Sequence, residues 1–411
     1  MKSLKTFLSV ILIVLSSCAN EQQPVGKLQL GSELFFKVYL EELSDKEVAL
    51  VVNKSSVLPD GKHLLDEMID RGLKPKVIFT PEHGFEIDKP AGEEIKSLSD
   101  SIKGIKIISL YGDVKEPTDE MLKGIEFIVY DLQDVGVRCY TYISTLFYIM
   151  KSASRNHIPV MILDRPVPIN GEILEGPVLQ PEFRSFTGIA LVPMRYAMTS
   201  AELAKFYSEE GMFDQVSWII ILTLKGWNRD SFYDDYDLPW IPPSPNITDI
   251  ETAIMYSGMN LIEGTNISEG RGTERPFLTA GAPFIDKTEL VNELRKTKPE
   301  GIEFEPVTFT PKSIPGKVTS PKYQDKECQG ISVRITDRKK ARPVTFTLQL
   351  ISALIKLYPK SFRFTDSFDL LAGNSTLKKD LLANKPVDKI IAGWQREIEE
   401  FNKKRSKYLM Y

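Results

Sequence analysis

Histidine and cysteine are scarce in this chain, with only three of each among 411 residues. The histidines are never spaced as HxH or HxxxH, which excludes a multi-histidine metal centre. Apart from Cys18, only Cys139 and Cys328 remain, so the chain holds at most one disulfide and no cysteine-built metal site. A carboxylate-bound ion is not excluded by these counts, but we expect no metal at the site.

Three motifs of nucleotide and hydrolase chemistry are missing as well. No GxGxxG follows an early strand pattern, and neither a GxxxxGK[ST] loop nor a Gly-x-Ser-x-Gly elbow occurs. Their absence argues against a dinucleotide cofactor, a phosphate-binding loop and a serine hydrolase. Basic residues are not in excess, because 52 Lys+Arg stand against 56 Asp+Glu. We therefore expect no cofactor and no nucleic-acid partner.

Long apolar runs are absent too, and the apolar run nearest the N-terminus covers only residues 7–15. A spanning helix needs about 20 apolar residues, so this run is typical of a signal peptide. Lys2 and Lys5 precede it, and Leu15-Ser16-Ser17-Cys18 follows it. The pattern predicts a lipoprotein signal over 1–18 with lipidation at Cys18, a tether over 19–40, and an exported protein anchored to the cell envelope, on the periplasmic side or in the outer membrane.

The remaining chain exceeds the about 100–200 residues that one domain usually holds, so two subdomains are expected. Residues 41–205 alternate short apolar runs with helical patterns, such as that over 142–155, which indicates an open, doubly wound α/β sheet. Residues 206–411 are less regular and predict an α+β subdomain, in which one of the expected helices covers 387–402. The strands expected in the first part are 48–52, 76–80, 105–110, 127–130 and 160–163.

Polar residues follow each of these strands. Ligands of open α/β sheets bind at the carboxyl ends of the strands, so these residues would line one crevice. A single polar strand end is most often the start of a loop, but five together favour a site. They are Asn53, Glu82 and His83, Tyr111, Asp131, Gln133 and Asp134, and Asp164 and Arg165.

A polar, glycine-rich stretch over 263–273 is the second candidate for binding. It carries Glu263, Asn266, Glu269 and Arg271, which are groups able to bind sugar hydroxyls. Cleaving a glycosidic bond usually takes one acid and a second group that assists at the anomeric carbon. Glu82 and Glu269 are suitable carboxylates, and His83 is an alternative acid or base. These three are the predicted catalytic residues.

The ordered motifs resemble those of the NamZ-type exo-β-N-acetylmuramidases. They are PEHGF at 81–85, SLYG at 109–112, DLQDVGVR at 131–138, DRP at 164–166, PSPN at 243–246, EGTNISEGRGT at 263–273 and RSKYLMY at 405–411. The resemblance covers nearly the whole mature chain. It implies a Rossmann-like subdomain, a second α+β subdomain and an active site in the cleft between them. It also implies release of non-reducing terminal N-acetylmuramic acid from peptidoglycan fragments, with Glu82 as the leading catalytic carboxylate.

Two departures from the family pattern occur: Glu86-Ile87 where Arg-Gly is usual, and Arg195-Tyr196-Ala197 where Arg-His-Gly is usual. They keep two alternatives open, a non-catalytic wall-binding lipoprotein and a glycosidase for a different terminal sugar. N-acetylmuramic acid carries a lactyl carboxylate, which an arginine would bind through two hydrogen bonds. The predicted substrate-binding residues are Asp131, Gln133, Asp134, Arg138, Asp164, Arg165, Arg195, Asn246, Glu263, Asn266 and Arg271, and the four arginines among them are the carboxylate candidates.

Overall fold

The computed structural model describes residues 28–90, 92, 101–213 and 218–411. The predicted signal peptide, Cys18 and residues 19–27 of the predicted tether lie outside these residues. The first subdomain is a seven-stranded sheet in the order β3-β4-β2-β1-β5-β6-β7, parallel except for β3. Its strands are β1 (Val48–Val51), β2 (Val77–Thr80), β3 (Ser101–Ile102), β4 (Ile105–Ser109), β5 (Phe127–Tyr130), β6 (Val160–Leu163) and β7 (Ile219–Leu222).

Helices cover both faces of this sheet, which is why β1, β2 and β6 consist almost wholly of buried apolar residues. One face packs with the N-terminal helices in a small apolar core, and the other belongs to a large core shared with the second subdomain. The prediction of an open, Rossmann-like sheet is confirmed. The helices of this part are α1 (Gly31–Val38), α2 (Leu64–Asp70), α3 (Tyr142–Arg155) and α4 (Ser200–Glu209).

Two predicted boundaries need correction. Leu28 and Leu30 are buried and helix α1 follows them, so the part of the predicted 19–40 tether from residue 28 onward belongs to the fold. Its apolar residues complete the edge of the sheet, where Gln29 pairs with Lys225. Strand β7 pairs with β6, so the sheet extends beyond the boundary predicted at residue 205.

The second subdomain packs helices on a three-stranded antiparallel sheet in the order β8-β10-β9. The helix predicted over 387–402 is instead two helices that are separated at Gly393 and Trp394. The elements are α5 (Ile250–Met259), β8 (Thr279–Ala282), α6 (Lys287–Leu294), β9 (Ile302–Phe309), β10 (Cys328–Ile335), α7 (Pro343–Leu357), α8 (Phe368–Ala372), α9 (Thr376–Leu382), α10 (Val387–Ala392) and α11 (Gln395–Arg405).

The C-terminal residues return to the first subdomain. Nη1 of Arg405 donates to the carbonyl of Ala197 at 2.6 Å, and the Tyr411 hydroxyl donates to Asp164 at 2.7 Å. These contacts fix the second subdomain over the carboxyl ends of the strands. Among the described residues, we find no helix with the length and apolar character needed to cross a membrane.

Candidate active site

Glu82 lies two residues beyond the end of β2, and its side chain is held at both carboxylate oxygens. Oε2 accepts a hydrogen bond from the Thr141 hydroxyl at 2.7 Å, and Oε1 accepts one from the Gly92 amide at 3.1 Å. Only 9% of the residue is exposed. The carboxylate therefore has a fixed direction at the edge of the sheet, as an acid or base in catalysis requires.

His83 adopts a positive φ of 73°, a backbone conformation that is uncommon outside glycine. Its Nδ1 lies 2.7 Å from the Lys89 carbonyl, so Nδ1 carries the proton that donates to this oxygen. Burial lowers the pKa of His83, the Glu82 carboxylate opposes this shift, and Arg271 adds to it. The neutral ring leaves Nε2 as an acceptor, so His83 fits the role of a base better than that of an acid.

The glycine-rich stretch brings two carboxylates and an arginine together. Arg271 donates from Nε at 3.1 Å and from Nη2 at 2.8 Å to one oxygen of Glu263. Its Nε also lies 3.6 Å from Glu269 Oε1, and its guanidinium stacks 5.0 Å above the ring of Phe277. Burial raises the pKa of Glu263, and the Arg271 charge opposes this. Arg271 is thus fixed on three sides.

Lys322 is a site residue that no sequence motif indicates. Its Nζ donates to the carbonyls of Ile262 at 3.0 Å, Glu263 at 3.1 Å and Ile267 at 3.0 Å. It also lies 3.0 Å from Glu269 Oε2. All three ammonium protons serve the carbonyls, so this contact is an ion pair without a hydrogen bond, and Glu269 Oε2 is a buried acceptor without a hydrogen-bond partner.

Replacing Lys322 with methionine tests this positioning role. The change keeps the length of the side chain but leaves three carbonyls and the Glu269 carboxylate without their cation. We expect a lower melting temperature and a loss of kcat/KM of about tenfold or more, since a hydrogen bond to a charged group contributes about 1.5–3 kcal/mol. Lys322→Arg should recover part of the loss. Lys326→Met, at an exposed neighbouring lysine, controls for the lost charge. Equal kinetics in the Lys322 and Lys326 methionine variants would contradict the role.

Two predicted residues form a buried ion pair. Arg165 donates from Nη2 at 2.8 Å to Asp131 and at 2.8 Å to the Val57 carbonyl, and a second bond joins its Nε to the other Asp131 oxygen. The two side chains are 2% and 0% exposed. This pair connects the ends of two strands, and its contacts favour a structural role over substrate binding.

Two other predicted arginines are fully buried. Arg138 donates to the carbonyls of Pro177 and Val192 from Nη1, and to those of Leu371 and Ala372 from Nη2. Arg195 donates to the Ile169 carbonyl, and burial lowers its pKa to about 10. Among the four arginine candidates for the lactyl carboxylate, Arg271 is the most exposed, at 15% of its side chain.

Asp134 connects one family departure to the predicted site. Its Oδ2 accepts from the Gly136 amide at 2.7 Å and from the Tyr196 hydroxyl, while Oδ1 is buried without a hydrogen-bond partner. Burial raises the pKa of Asp134 to about 6. Next to it, Gln133 donates to the carbonyls of Asp134 and Pro166. Through its hydroxyl, Tyr196 therefore contacts the predicted site residue Asp134 directly. In the other departure, Glu86 is half exposed and lies 3.6 Å from Lys54, whereas Ile87 is buried and adopts a positive φ of 57°.

The remaining predicted residues form hydrogen bonds that hold the segments around the site in place. Asp164 caps α4 by accepting from Thr199 Oγ1 at 2.7 Å and from the Ala201 amide at 3.0 Å. Burial raises its pKa to about 7. Asn266 holds residues 361–363 through both ends of its amide, and Asn246 donates to the Lys317 carbonyl at 3.0 Å.

The fold and these side chains define the class of the protein. A Rossmann-like sheet presents a fixed carboxylate and a neutral histidine at its carboxyl edge, and the second subdomain adds paired carboxylates and an arginine. Within the described residues, no cluster of three or more histidine, cysteine, aspartate or glutamate side chains is placed to hold a metal ion. The fixed carboxylate and the neutral histidine are groups that an α/β enzyme can use for acid–base chemistry.

The chain belongs to the exo-β-N-acetylmuramidase NamZ family, whose N-terminal model matches residues 48–251 and whose C-terminal model matches 254–411. The peptidoglycan β-N-acetylmuramidase NamZ of Bacillus subtilis (strain 168) is 39% identical over 395 residues, which are 95% of this chain and 93% of that protein. The two models meet after β7, later than the boundary predicted at residue 205.

Two solved structures have the same fold. Both are DUF1343 family proteins of Bacteroides fragilis NCTC 9343. One is 28% identical with a TM-score of 0.84 and covers 94% of this chain and 100% of its own. The other is 30% identical with a TM-score of 0.77 and covers 94% of this chain and 99% of its own.

Proposed function

We propose that this protein is an exo-acting β-N-acetylmuramidase that releases non-reducing terminal N-acetylmuramic acid from peptidoglycan fragments. The observation that carries the proposal is the match of both halves of the chain to the NamZ family, together with a relative of that activity aligned over 95% of the chain. The fixed Glu82 carboxylate beside a neutral His83 supplies the chemical groups that glycoside hydrolysis requires.

The geometry supports distinct roles for these groups. In its protonated form Glu82 gives a proton to the glycosidic oxygen, the bond from this oxygen to the anomeric carbon breaks, and the shortened glycan leaves with the proton. A water molecule supplies hydroxide to the anomeric carbon, and its remaining proton passes to a base. Glu269, on the anomeric side, is the proposed base, and His83 Nε2 is the alternative. Arg271 binds the lactyl carboxylate through the guanidinium N–H groups that do not donate to Glu263.

A panel of chromogenic β-glycosides tests the sugar specificity. We expect turnover of the N-acetylmuramic acid glycoside and little turnover of the N-acetylglucosamine glycoside, which lacks the lactyl carboxylate. Preference for another sugar would replace the proposed substrate. Saturable binding of N-acetylmuramyl-N-acetylglucosamine without release of either sugar would instead identify a non-catalytic wall-binding protein.

We further propose that the mature protein is an exported lipoprotein, anchored through Cys18 to the cell envelope on the periplasmic side or in the outer membrane. Support comes from the basic start, the short apolar run and the Leu15-Ser16-Ser17-Cys18 sequence. The anchor would hold the enzyme where peptidoglycan fragments are released.

Replacing Cys18 with alanine tests the anchor. The wild-type protein should begin at Cys18, carry lipid and fractionate with membranes, whereas Cys18→Ala should remain unprocessed or be mislocalised because the acceptor thiol is gone. Ser17→Ala keeps a small residue before the cysteine and should be processed normally. The proposal fails if the wild-type protein is entirely soluble and is cut at another position, as mass spectrometry of its N-terminus would reveal.

A further inference from the structure

Three aromatic rings outside the core form a continuous group near the site. The ring of Phe186 is stacked with that of Tyr148, at 6.1 Å between centroids and 15° between planes, and lies 5.7 Å from the ring of Tyr111. All three residues are partly exposed, whereas Tyr140, Tyr142 and Tyr256 near Glu82 are buried. We call Tyr111, Tyr148 and Phe186 the aromatic shelf.

The sheet places the aromatic shelf next to Glu82. Strands β2 and β4 are parallel neighbours, and Thr80 pairs with Ser109. Glu82 and Tyr111 each lie two residues beyond this pair. Because adjacent strands are about 4.8 Å apart, Tyr111 belongs to the strand end beside the catalytic carboxylate.

Helix α3 connects the same two places independently. Thr141, which binds Glu82, immediately precedes α3, and Tyr148 comes seven residues later on the same face of the helix. Seven residues of helix span about 10 Å. Between them, Ser144 donates to the Phe186 carbonyl at 2.7 Å. One face of α3 thus leads from the carboxylate to the aromatic shelf.

We propose that the aromatic shelf binds the sugar rings of the leaving glycan, beyond the bond that is cleaved. This inference rests on the proposed function, because an exo-acting enzyme encloses one terminal sugar and must let the rest of the chain run outward. The faces of aromatic rings carry negative charge density and attract the weakly positive C–H groups of a pyranose. Partly exposed rings that begin beside Glu82 offer the leaving glycan such a path.

Two lysines lie over rings of the aromatic shelf, and positive charge there agrees with this occupant. Lys115 Nζ lies 5.4 Å from the Phe186 ring centroid, and Lys151 Nζ lies 5.9 Å from that of Tyr148. Lys151 also binds Glu116 at 2.8 Å. In peptidoglycan the carboxylate-bearing sugar recurs at alternate positions, so the leaving glycan presents an anionic group again beyond its first sugar. The ammonium group of Lys115 over the Phe186 ring suits that group, whereas the charge of Lys151 is already paired with Glu116.

The test compares substrates that differ in length. We would measure kcat/KM for the tetrasaccharide of alternating N-acetylmuramic acid and N-acetylglucosamine and for the chromogenic N-acetylmuramic acid glycoside, in the wild type, Tyr148→Ala and Phe186→Ala. The ratio of the two values should fall about tenfold in each variant, since ring contacts contribute free energies that correspond to about this factor. Trp218→Ala is the matched control, because Trp218 is 49% exposed just before β7, at the opposite edge of the sheet.

Each outcome has a defined meaning. Tyr148→Leu, which keeps apolar volume without a ring, replaces Tyr148→Ala if melting curves show that the alanine variant is unfolded. An unchanged ratio in folded Tyr148 and Phe186 variants of an active enzyme would overturn the aromatic shelf alone. A wild-type protein that hydrolyses neither substrate would overturn the proposed function, and the aromatic shelf with it.

Discussion

Replacing Glu82 with glutamine should abolish most of the turnover while leaving the fold and substrate binding nearly unchanged. The glutamine keeps the shape of the side chain: its oxygen can still accept from the Gly92 amide, and its NH₂ can donate to the Thr141 hydroxyl. The ability to transfer a proton is lost, together with the negative charge beside His83. General acid–base catalysis is worth about 10²–10⁴-fold, so kcat should fall by at least this range.

The matched control is Glu86→Gln, four residues later in the same loop. Glu86 is half exposed and pairs with Lys54, so its substitution should leave kcat close to the wild-type value. Melting temperature and substrate affinity, measured for both variants, distinguish a chemical role from a structural one. A folded Glu82→Gln enzyme with near-normal turnover would move the catalytic role to Glu269 or Asp134.

Replacing Arg271 with lysine should chiefly weaken the binding of muramyl substrates. A lysine keeps the charge but cannot hold Glu263 from two nitrogens and still present a donor to the lactyl carboxylate. The expected cost is about 1.5–3 kcal/mol, or roughly ten- to hundredfold in kcat/KM, mainly through a higher KM. Kinetics with the free lactyl acid and with its methyl ester would show whether the loss depends on the carboxylate.

Arg275→Lys is the control for this change, because Arg275 lies two residues after the same stretch, is exposed and donates to the Val333 carbonyl. It should behave like the wild type. If Arg271→Lys has unchanged kinetics, or loses the same factor with acid and ester, Arg271 does not bind the carboxylate. The role would then fall to Arg138, Arg165 or Arg195, whose side chains would have to leave their buried partners.

The sheet could be predicted because its strands are buried on both faces. Short runs such as 48–52 and 160–163 are apolar throughout, and only parallel strands covered by helices require this. The helix over 142–155 was equally clear from its apolar periodicity. The short strands β3 and β8 gave no such signal, because Ser101–Ile102 has two residues and Thr279–Ala282 consists of small ones.

The tether and the long C-terminal helix were mispredicted for a related reason. Only residues 20–27 form a polar stretch, whereas residues 28–40 are rich in apolar side chains, and Leu28, Leu30 and Phe35 among them are buried against distant parts of the chain. The pattern over 387–402 is helical throughout, yet Gly393 and Trp394 separate two helices that pack differently. In both cases tertiary packing decided the outcome.

The sequence motifs predict the residues of the candidate site, but they do not assign roles to the arginines. All four arginines match arginines of the family pattern, and only burial and partners distinguish Arg271 from Arg138, whose carbonyl contacts reach from Pro177 to Ala372. Lys322 was missed altogether, since a lysine that binds carbonyls carries no spacing or motif to mark it. The roles of these arginines and of Lys322 depend on contacts that form only in the folded chain.

The central claim is most directly tested by the first products formed from the tetrasaccharide of alternating N-acetylmuramic acid and N-acetylglucosamine with N-acetylmuramic acid at its non-reducing end. Mass spectrometry of a time course with the wild-type protein should show free N-acetylmuramic acid and the complementary trisaccharide appearing together, and Glu82→Gln should form neither at a comparable rate. Disaccharides as the first products, a different released sugar or an intact tetrasaccharide with the wild-type protein would contradict the proposed function.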